Sequence, residues 1–144
     1  MFSKACEYGI KATIYIALQS YQGQRVSLKD IASEINSPEA FTAKILQKLS
    51  RDHVINSIKG ATGGFEIEKD MISTIKLSQI VNAIDGDEIY KGCGLGLATC
   101  NEHHPCPMHG KFIGVREELR YMLETTNLEE LALGIKSGLT YLKV

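Results

Sequence analysis

Three of the four cysteines lie close together in the second half of the chain, while Cys6 stands alone near its start. Cys93, Cys100 and Cys106 fall within 14 residues, with six and five residues between them. In a reducing cytoplasm such a group is more often a metal or redox site than a set of disulfides. The spacing is too wide for a Cys-x-x-Cys redox pair or a zinc ribbon, whereas three thiolates on a mobile loop can surround an iron–sulfur cluster. A zinc site and free redox-active thiols are the alternatives.

The cysteine-bearing segment, residues 86–110, is predicted to be a loop between helices. It contains five glycines, two prolines and three histidines and shows no helical periodicity. A structureless segment of this length is uncommon inside a compact domain, and such loops are often functional. Residues 77–84 before it and 111–126 after it place apolar side chains at helical spacing, and 127–142 predict a last helix with a break at Gly134.

The first half of the chain predicts three helices followed by a β-hairpin. Apolar residues are dense enough over 3–20 for a helix buried on most sides, and shorter apolar stripes follow over 27–35 and 38–51. Strand-like runs on either side of the glycine-rich segment 60–64 predict the hairpin. This order is that of a winged helix-turn-helix, so the fold class is mainly α with a small β-hairpin wing (α+β).

Residues 27–35 and 38–51 would form the helix-turn-helix, with Ser27 and Ser37 as suitable N-caps. In this fold the second helix of the motif enters the major groove, and the wing reaches the adjacent backbone or minor groove. Helix 38–51 is predicted to bury Phe41, Ile45, Leu46 and Leu49. It is predicted to expose Thr42, Lys44, Gln47, Lys48 and Arg51, which are groups that bind phosphates or base edges.

The charge distribution gives only weak support for DNA binding. The formal net charge is −1, and residues 1–69 carry nine Lys/Arg and seven Asp/Glu, against seven and ten in residues 70–144. A difference of this size between two halves of a chain is common in other classes of protein.

The chain resembles the Rrf-two (Rrf2) family of bacterial transcription regulators in four stretches that follow one another in the family's order. They are residues 6–12 (CEYGIKA), 26–32 (VSLKDIA), 59–65 (KGATGGF) and 77–86 (LSQIVNAIDG). The third is similar to the family's Arg-Gly-x-x-Gly-Gly-Tyr wing, with Lys59 in place of the arginine. Residues 41–44 read Phe-Thr-Ala-Lys where many members have Tyr-Leu-Glu-Gln, so the operator of relatives does not transfer to this chain.

The resemblance implies a homodimer on double-stranded DNA, with helix 111–126 as the dimerisation helix. It implies three parts: a winged helix-turn-helix over 1–86, a cofactor or sensor loop over 87–110, and a dimerisation helix plus a C-terminal helix that packs on the N-terminal helix over 111–144. The predicted DNA contacts are Ser27, Lys29, Glu39, Ala40, Thr42, Ala43, Lys44, Lys48, Lys59, Thr62, Gly63 and Gly64.

Sensing members of the family hold an iron–sulfur cluster on three cysteines at this place, which implies Cys93, Cys100 and Cys106 as ligands. His109 follows Cys106 by three residues, as in IscR-like members, and an imidazole ligand favours a [2Fe-2S] over a [4Fe-4S] cluster. Glu7 is the rival fourth ligand, because NsrR-like members use a carboxylate near this position. Redox state, nitric oxide and iron–sulfur status are the candidate signals.

Other classes of protein fit less well. A cysteine-dependent redox enzyme needs a reactive thiolate, a base and a substrate pocket, and only the first two have candidates. A winged helix that contacts another regulator instead of DNA is a further alternative. Cys6, on the apolar side of the first helix, is predicted to be a core residue, and His53 a turn residue. No apolar run is long enough to span a bilayer, so we expect a cytoplasmic protein.

Overall fold

The computed structural model describes residues 1–143 and is mainly helical. The elements are α1 (Lys4–Tyr21), α2 (Leu28–Glu34), α3 (Glu39–Arg51), β1 (Asn56–Ile58), β2 (Gly64–Glu66), α4 (Lys69–Ile72), α5 (Leu77–Asp85), α6 (Glu88–Lys91), α7 (His109–Thr125) and α8 (Leu128–Lys136). The predicted fold class is confirmed. The four-residue helices α4 and α6 were not predicted, and α6 lies inside the segment that was expected to be structureless.

The core is built around α1, which packs against α5, α8 and α3. Cys6, Ala12, Ile16 and Ala17 on α1 have no exposed surface, which confirms the prediction for Cys6. Helix α8 packs on α1 as expected of the C-terminal helix. It ends at Lys136, and the predicted break at Gly134 is wrong. The chain turns after Ser137 instead, where the N–H groups of residues 139 and 140 donate to the Gly134 carbonyl.

The wing is a two-stranded antiparallel hairpin in which Asn56 pairs with Glu66 and Ile58 with Gly64. Val26, just before α2, extends it: its N–H donates to the Phe65 carbonyl at 3.1 Å, and the Phe65 N–H donates back at 2.8 Å. Gly64 has φ +138°, and a Cβ there would lie 2.7 Å from the Val26 carbonyl oxygen. Only glycine fits at this close approach.

Helix α3 differs from the prediction at its start. Its first residue is Glu39, and Pro38 occupies the N-cap position without a side-chain cap. The Ser37 hydroxyl is hydrogen-bonded to the Thr42 hydroxyl, and Thr42 Oγ1 donates to the Pro38 carbonyl at 2.9 Å. These bonds satisfy the threonine inside the protein, so the prediction that Thr42 is exposed is wrong.

The buried stripe of α3 consists of Thr42, Ile45, Leu46 and Leu49, at i, i+3, i+4 and i+7. Phe41, predicted to be buried, lies at the edge of this stripe and is exposed, with its ring edge-on to Tyr8 at 5.8 Å between centroids. His53 has φ +59° in the turn after α3, as expected of a turn residue. None of the helices within residues 1–143 is both long and apolar enough to cross a membrane.

Candidate nucleic-acid interface and cysteine loop

The helix-turn-helix presents one polar face made by α2 and α3. The Ser27 hydroxyl accepts the Asp30 N–H at 3.1 Å, which confirms its predicted role as the N-cap of α2. Lys29 on α2 and Glu39, Ala40 and Lys44 on α3 are exposed, and Ala43 between them is half-buried. Thr42 is the one member of the predicted DNA contacts that the fold removes from this face.

Lys48 is exposed on the same helix, but its ammonium is directed to a neighbouring element. Its Nζ donates to the main-chain carbonyl of Ile84 at 3.4 Å. Ile84 lies in the last turn of α5, where helix carbonyls lack partners and the dipole favours a cation. This contact connects the candidate recognition helix to the residue that nearly ends α5, just ahead of the cysteine loop.

A brace that the sequence analysis missed holds the wing. Arg25 Nε donates to Glu66 Oε2 at 2.9 Å, and its Nη1 donates to the Thr62 carbonyl at 3.2 Å. Lys59 and Thr62 near the wing tip are exposed, while Gly63 and Gly64 are half-buried. Arg25 and Glu66 are 41 residues apart, so no local pattern could have paired them.

A shallow groove separates the wing from the candidate recognition helix. Its volume is about 340 Å³, and it is lined by Leu28, Ala43, Lys44, Gln47, Ser50, Ser57 and Phe65. The groove therefore joins the start of α2, the outer face of α3 and both strands of the wing. Lys44 lines the groove and is exposed.

In the cysteine loop, the predicted ligands come together as two pairs. Cys93 Sγ lies 4.0 Å from Cys106 Sγ, and Cys100 Sγ lies 3.4 Å from His109 Nδ1. All four side chains are partly buried, between the end of α6 and the first turn of α7. Within residues 1–143, no three Cys, His, Asp or Glu side chains converge as ligands of a single ion.

Each cysteine pair has its own hydrogen-bond donors. The Leu95 N–H donates to Cys93 Sγ at 3.4 Å, and the N–H groups of Leu95 and then Leu97 lower the pKa of the Cys93 thiol. Arg116 on α7 points both Nη1 and Nη2 at Cys100 Sγ, each at 3.3 Å. Arg116 was not predicted, although its position seven residues after His109 places both on one side of α7.

The rival ligand Glu7 is paired elsewhere in the chain. It sits in the first turn of α1 and forms an ion pair with Lys4 at 3.1 Å. Its neighbour Cys6 faces the core beside Asp85. Burial, followed by the negative charge of Asp85, raises the pKa of the Cys6 thiol to about 12. Cys6 is therefore an inert core thiol in this structure.

Helix α7 leaves apolar side chains exposed. Leu123 is buried, whereas Val115 is 61% and Met122 41% exposed, and Met108 just before the helix is also exposed. These three residues recur every seven positions and mark one stripe along the outside of α7. A heptad stripe of this kind is typical of a helix that packs against a second helix.

Comparisons with known proteins find relatives among transcription regulators. A family model described as "Rrf2: Iron-dependent Transcriptional regulator" matches residues 2–133. An HTH-type transcriptional regulator of Aquifex aeolicus is 28% identical over 91% of the chain and 90% of its own length. The regulator IscR of Klebsiella pneumoniae is 26% identical over 86% of the chain and 74% of its own length. The structure of CymR, described as the global cysteine regulator of B. subtilis, superposes with a TM-score of 0.72 at 24% identity, covering 92% of this chain and 95% of CymR.

Proposed function

The chain belongs to the Rrf2 family of transcriptional regulators, and we propose that it acts in the cytoplasm as a homodimer that binds double-stranded DNA and holds an iron–sulfur cluster on its cysteine loop. Like its relatives, it is a transcriptional regulator and not an enzyme. Its signal is redox state, nitric oxide or iron–sulfur status.

For DNA binding, the supporting observation is the shared face of α3 and the wing. Lys44 lines the groove between α3 and the wing, Lys59 is exposed on the wing, and the Val26–Phe65 bridge joins the wing to the residue just before α2. Helix α3 would enter the major groove and the wing would contact the backbone beside it. Lys29 and the exposed residues Glu39 and Ala40 would extend the contact along the helix-turn-helix.

Salt dependence of binding to a mixed-sequence duplex tests this proposal. A protein that neutralises phosphates with lysines loses affinity steeply as salt is raised. We expect the affinity measured by fluorescence anisotropy to fall as salt is added. The logarithm of the binding constant should fall linearly with the logarithm of the salt concentration. Failure to bind any duplex at low salt would leave only a protein-contacting winged helix.

For the dimer, the supporting observation is the exposed stripe of Met108, Val115 and Met122. Large apolar side chains exposed along one line are uncommon on a monomer and mark an interface. Light scattering after gel filtration should give twice the chain mass, and Val115→Lys should give the monomer mass. Glu117→Gln on the same helix changes the net charge by the same amount outside the stripe and should leave the dimer intact.

For the cofactor, the observation that carries the proposal is the donor set: three cysteines and His109 between α6 and α7, in two close pairs. Three thiolates with one imidazole are a donor set for an iron–sulfur cluster, and such a cluster supplies one-electron redox chemistry when bound. The two separated pairs suit an object larger than a single zinc ion, which needs four ligands around one point. Arg116 would hold Cys100 by two hydrogen bonds.

The contacts at the end of α5 support a route from this loop to DNA. Ile84 accepts the Lys48 ammonium, and the Ser3 hydroxyl donates to Asp85 Oδ1 at 2.7 Å. The loop leaves α5 at the next residue and enters α7 at its other end. A change in the loop would therefore act on the recognition helix, α1 and the dimerisation helix together.

The test of the cofactor is protein purified without oxygen. We expect visible charge-transfer absorption with matching iron and acid-labile sulfide. Separate serine substitutions of Cys93, Cys100 and Cys106 should abolish it. Comparing the absorption of His109→Ala with that of Glu7→Gln identifies the fourth ligand, because only the variant that lacks it should have an altered spectrum. His104→Ala in the exposed loop is the control. A protein that stays colourless after anaerobic reconstitution contradicts the proposal.

A further inference from the structure

We propose that Cys93 and Cys106 are a redox-modification site, which a low-molecular-weight disulfide oxidises to an intramolecular disulfide when the loop carries no cofactor, and that Cys100 stays outside it. The two sulfurs lie 4.0 Å apart. A disulfide needs an S–S distance of about 2.05 Å, so the sulfurs must approach by about 2 Å. Gly96 lies between the two cysteines in the chain, and a Cβ there would meet nothing within 4 Å, so the loop has room for this small movement.

Cys100 is separated from this pair by its own contacts. Its Sγ accepts both Nη groups of Arg116 at 3.3 Å and lies 3.4 Å from His109 Nδ1. Both partners sit on α7, a 17-residue helix. A disulfide that includes Cys100 would require these contacts to break, whereas a disulfide between Cys93 and Cys106 leaves them in place.

The reaction is a thiol–disulfide exchange with a low-molecular-weight disulfide such as oxidised glutathione. The Cys93 thiolate, which accepts the Leu95 N–H, attacks one sulfur of the reagent and releases one thiolate. The Cys106 thiolate then attacks Cys93 Sγ and releases the second. The two protein thiols are oxidised by two electrons, the reagent is reduced to two thiols, and the two protein protons end on those thiols.

Cys93 and Cys106 are also ligands of the proposed cluster, so the disulfide and the bound cluster exclude each other. Only this mutual exclusion rests on the proposed function. The disulfide would tie the residue two positions after α6 to a residue three positions before His109. It would thereby fix the length of the loop between α6 and α7. Oxidation of the cofactor-free protein and loading of the cluster would give two distinct loop structures.

The experiment uses the full chain, freed of iron by a chelator, reduced, and then exposed to oxidised glutathione. Free thiols are alkylated under denaturing conditions, the disulfides are reduced, and the released thiols are alkylated with an isotopically heavier reagent. Trypsin leaves residues 92–111 as one peptide, and fragmentation assigns the label at each cysteine. We expect heavy label at Cys93 and Cys106 to exceed that at Cys100 by at least about tenfold, since access and distance control exchange.

Matched variants complete the test. Cys100→Ser should still form the disulfide, whereas Cys93→Ser and Cys106→Ser should not. In Arg116→Gln, Cys100 should also form disulfides with Cys93 or Cys106. Equal heavy label at all three loop cysteines, or disulfides only between chains, would overturn the inference. Protein reconstituted with iron and sulfide under nitrogen should resist the reagent. If it reacts as fast as the cofactor-free protein while the pair still forms, the cluster proposal fails and the disulfide stands.

Discussion

Gly9 on α1 packs closely against Ile84 on α5, and replacing it by alanine should strain that contact. A Cβ at position 9 would lie 1.9 Å from Ile84 Cδ1, and 3.4 Å from Ile45 Cγ2. Ile84 is only 7% exposed, so its side chain has little room to rotate away. Overpacking a core in this way costs about 1–3 kcal/mol.

A second effect opposes this strain. Alanine is favoured over glycine inside a helix by about 1 kcal/mol. The net expectation for Gly9→Ala is therefore a loss of about 1 kcal/mol in the free energy of unfolding, with the clash exceeding the gain in propensity. The measurement is urea unfolding at fixed protein concentration, because the proposed dimerisation would make the apparent stability depend on concentration.

The decisive variant is Gly9→Ala combined with Ile84→Val, because valine lacks the Cδ1 atom that the new methyl group meets. Ile84→Val alone should cost about 0.5–1.5 kcal/mol, as for other buried Ile→Val changes. In the Gly9→Ala background it should cost less or restore stability, which gives a coupling of about 1 kcal/mol. The buried Ile75→Val is the control and should be additive with Gly9→Ala. A stabilised Gly9→Ala protein, or additivity with both valine variants, would refute the close contact.

Three further predictions concern the wing, the recognition helix and the core thiol. Arg25→Gln should weaken DNA binding about two- to fivefold, since an exposed ion pair contributes up to about 1 kcal/mol; Glu66→Gln should weaken it similarly if Arg25 orients the wing, whereas tighter binding would mean that Arg25 contacts phosphate itself. Lys44→Ala should lower the salt slope of DNA binding by about 1 while Lys136→Ala on α8 leaves it unchanged, as titrations at several salt concentrations will show. The raised pKa of Cys6 means that the folded state holds this proton more tightly than the unfolded chain. Its contribution to stability is therefore complete below about pH 9 and is lost as pH rises towards about 12, and Cys6→Ala should remove that part of the alkaline loss in urea unfolding.

The order of helices and the wing could be predicted from the sequence because each depends on short-range signals. The Ser-Pro-Glu start signal placed the start of α3 within one residue, and Ser27 caps α2 as its residue type suggests. Prediction failed where a side chain finds an unexpected local partner. Thr42 is buried because Ser37 and Pro38 supply its hydrogen bonds, and this displaces the apolar stripe so that Phe41 falls at its edge.

The cysteine loop could be recognised from its composition, but its internal arrangement could not. Residue spacing treats Cys93, Cys100, Cys106 and His109 as one set, whereas the fold divides them into two pairs. The division depends on Arg116, which reaches back 16 residues to Cys100 from the second turn of α7. The four-residue helix α6 is too short to show a periodic pattern, so the sequence could not place the start of the loop either.

The contacts that sequence could not supply share one physical character. Each is a hydrogen bond from a cationic side chain to an acceptor in a distant part of the chain. Arg25 binds the wing, Lys48 binds the end of α5, and Arg116 binds the cysteine loop. Long-range polar contacts near the surface contribute little to the free energy of folding, so neither periodicity nor propensity encodes them. They do fix the positions of exposed groups to within a hydrogen-bond length. Substituting these three cations should therefore change DNA binding or thiol chemistry while urea unfolding changes little, which is the opposite of what Gly9→Ala should do.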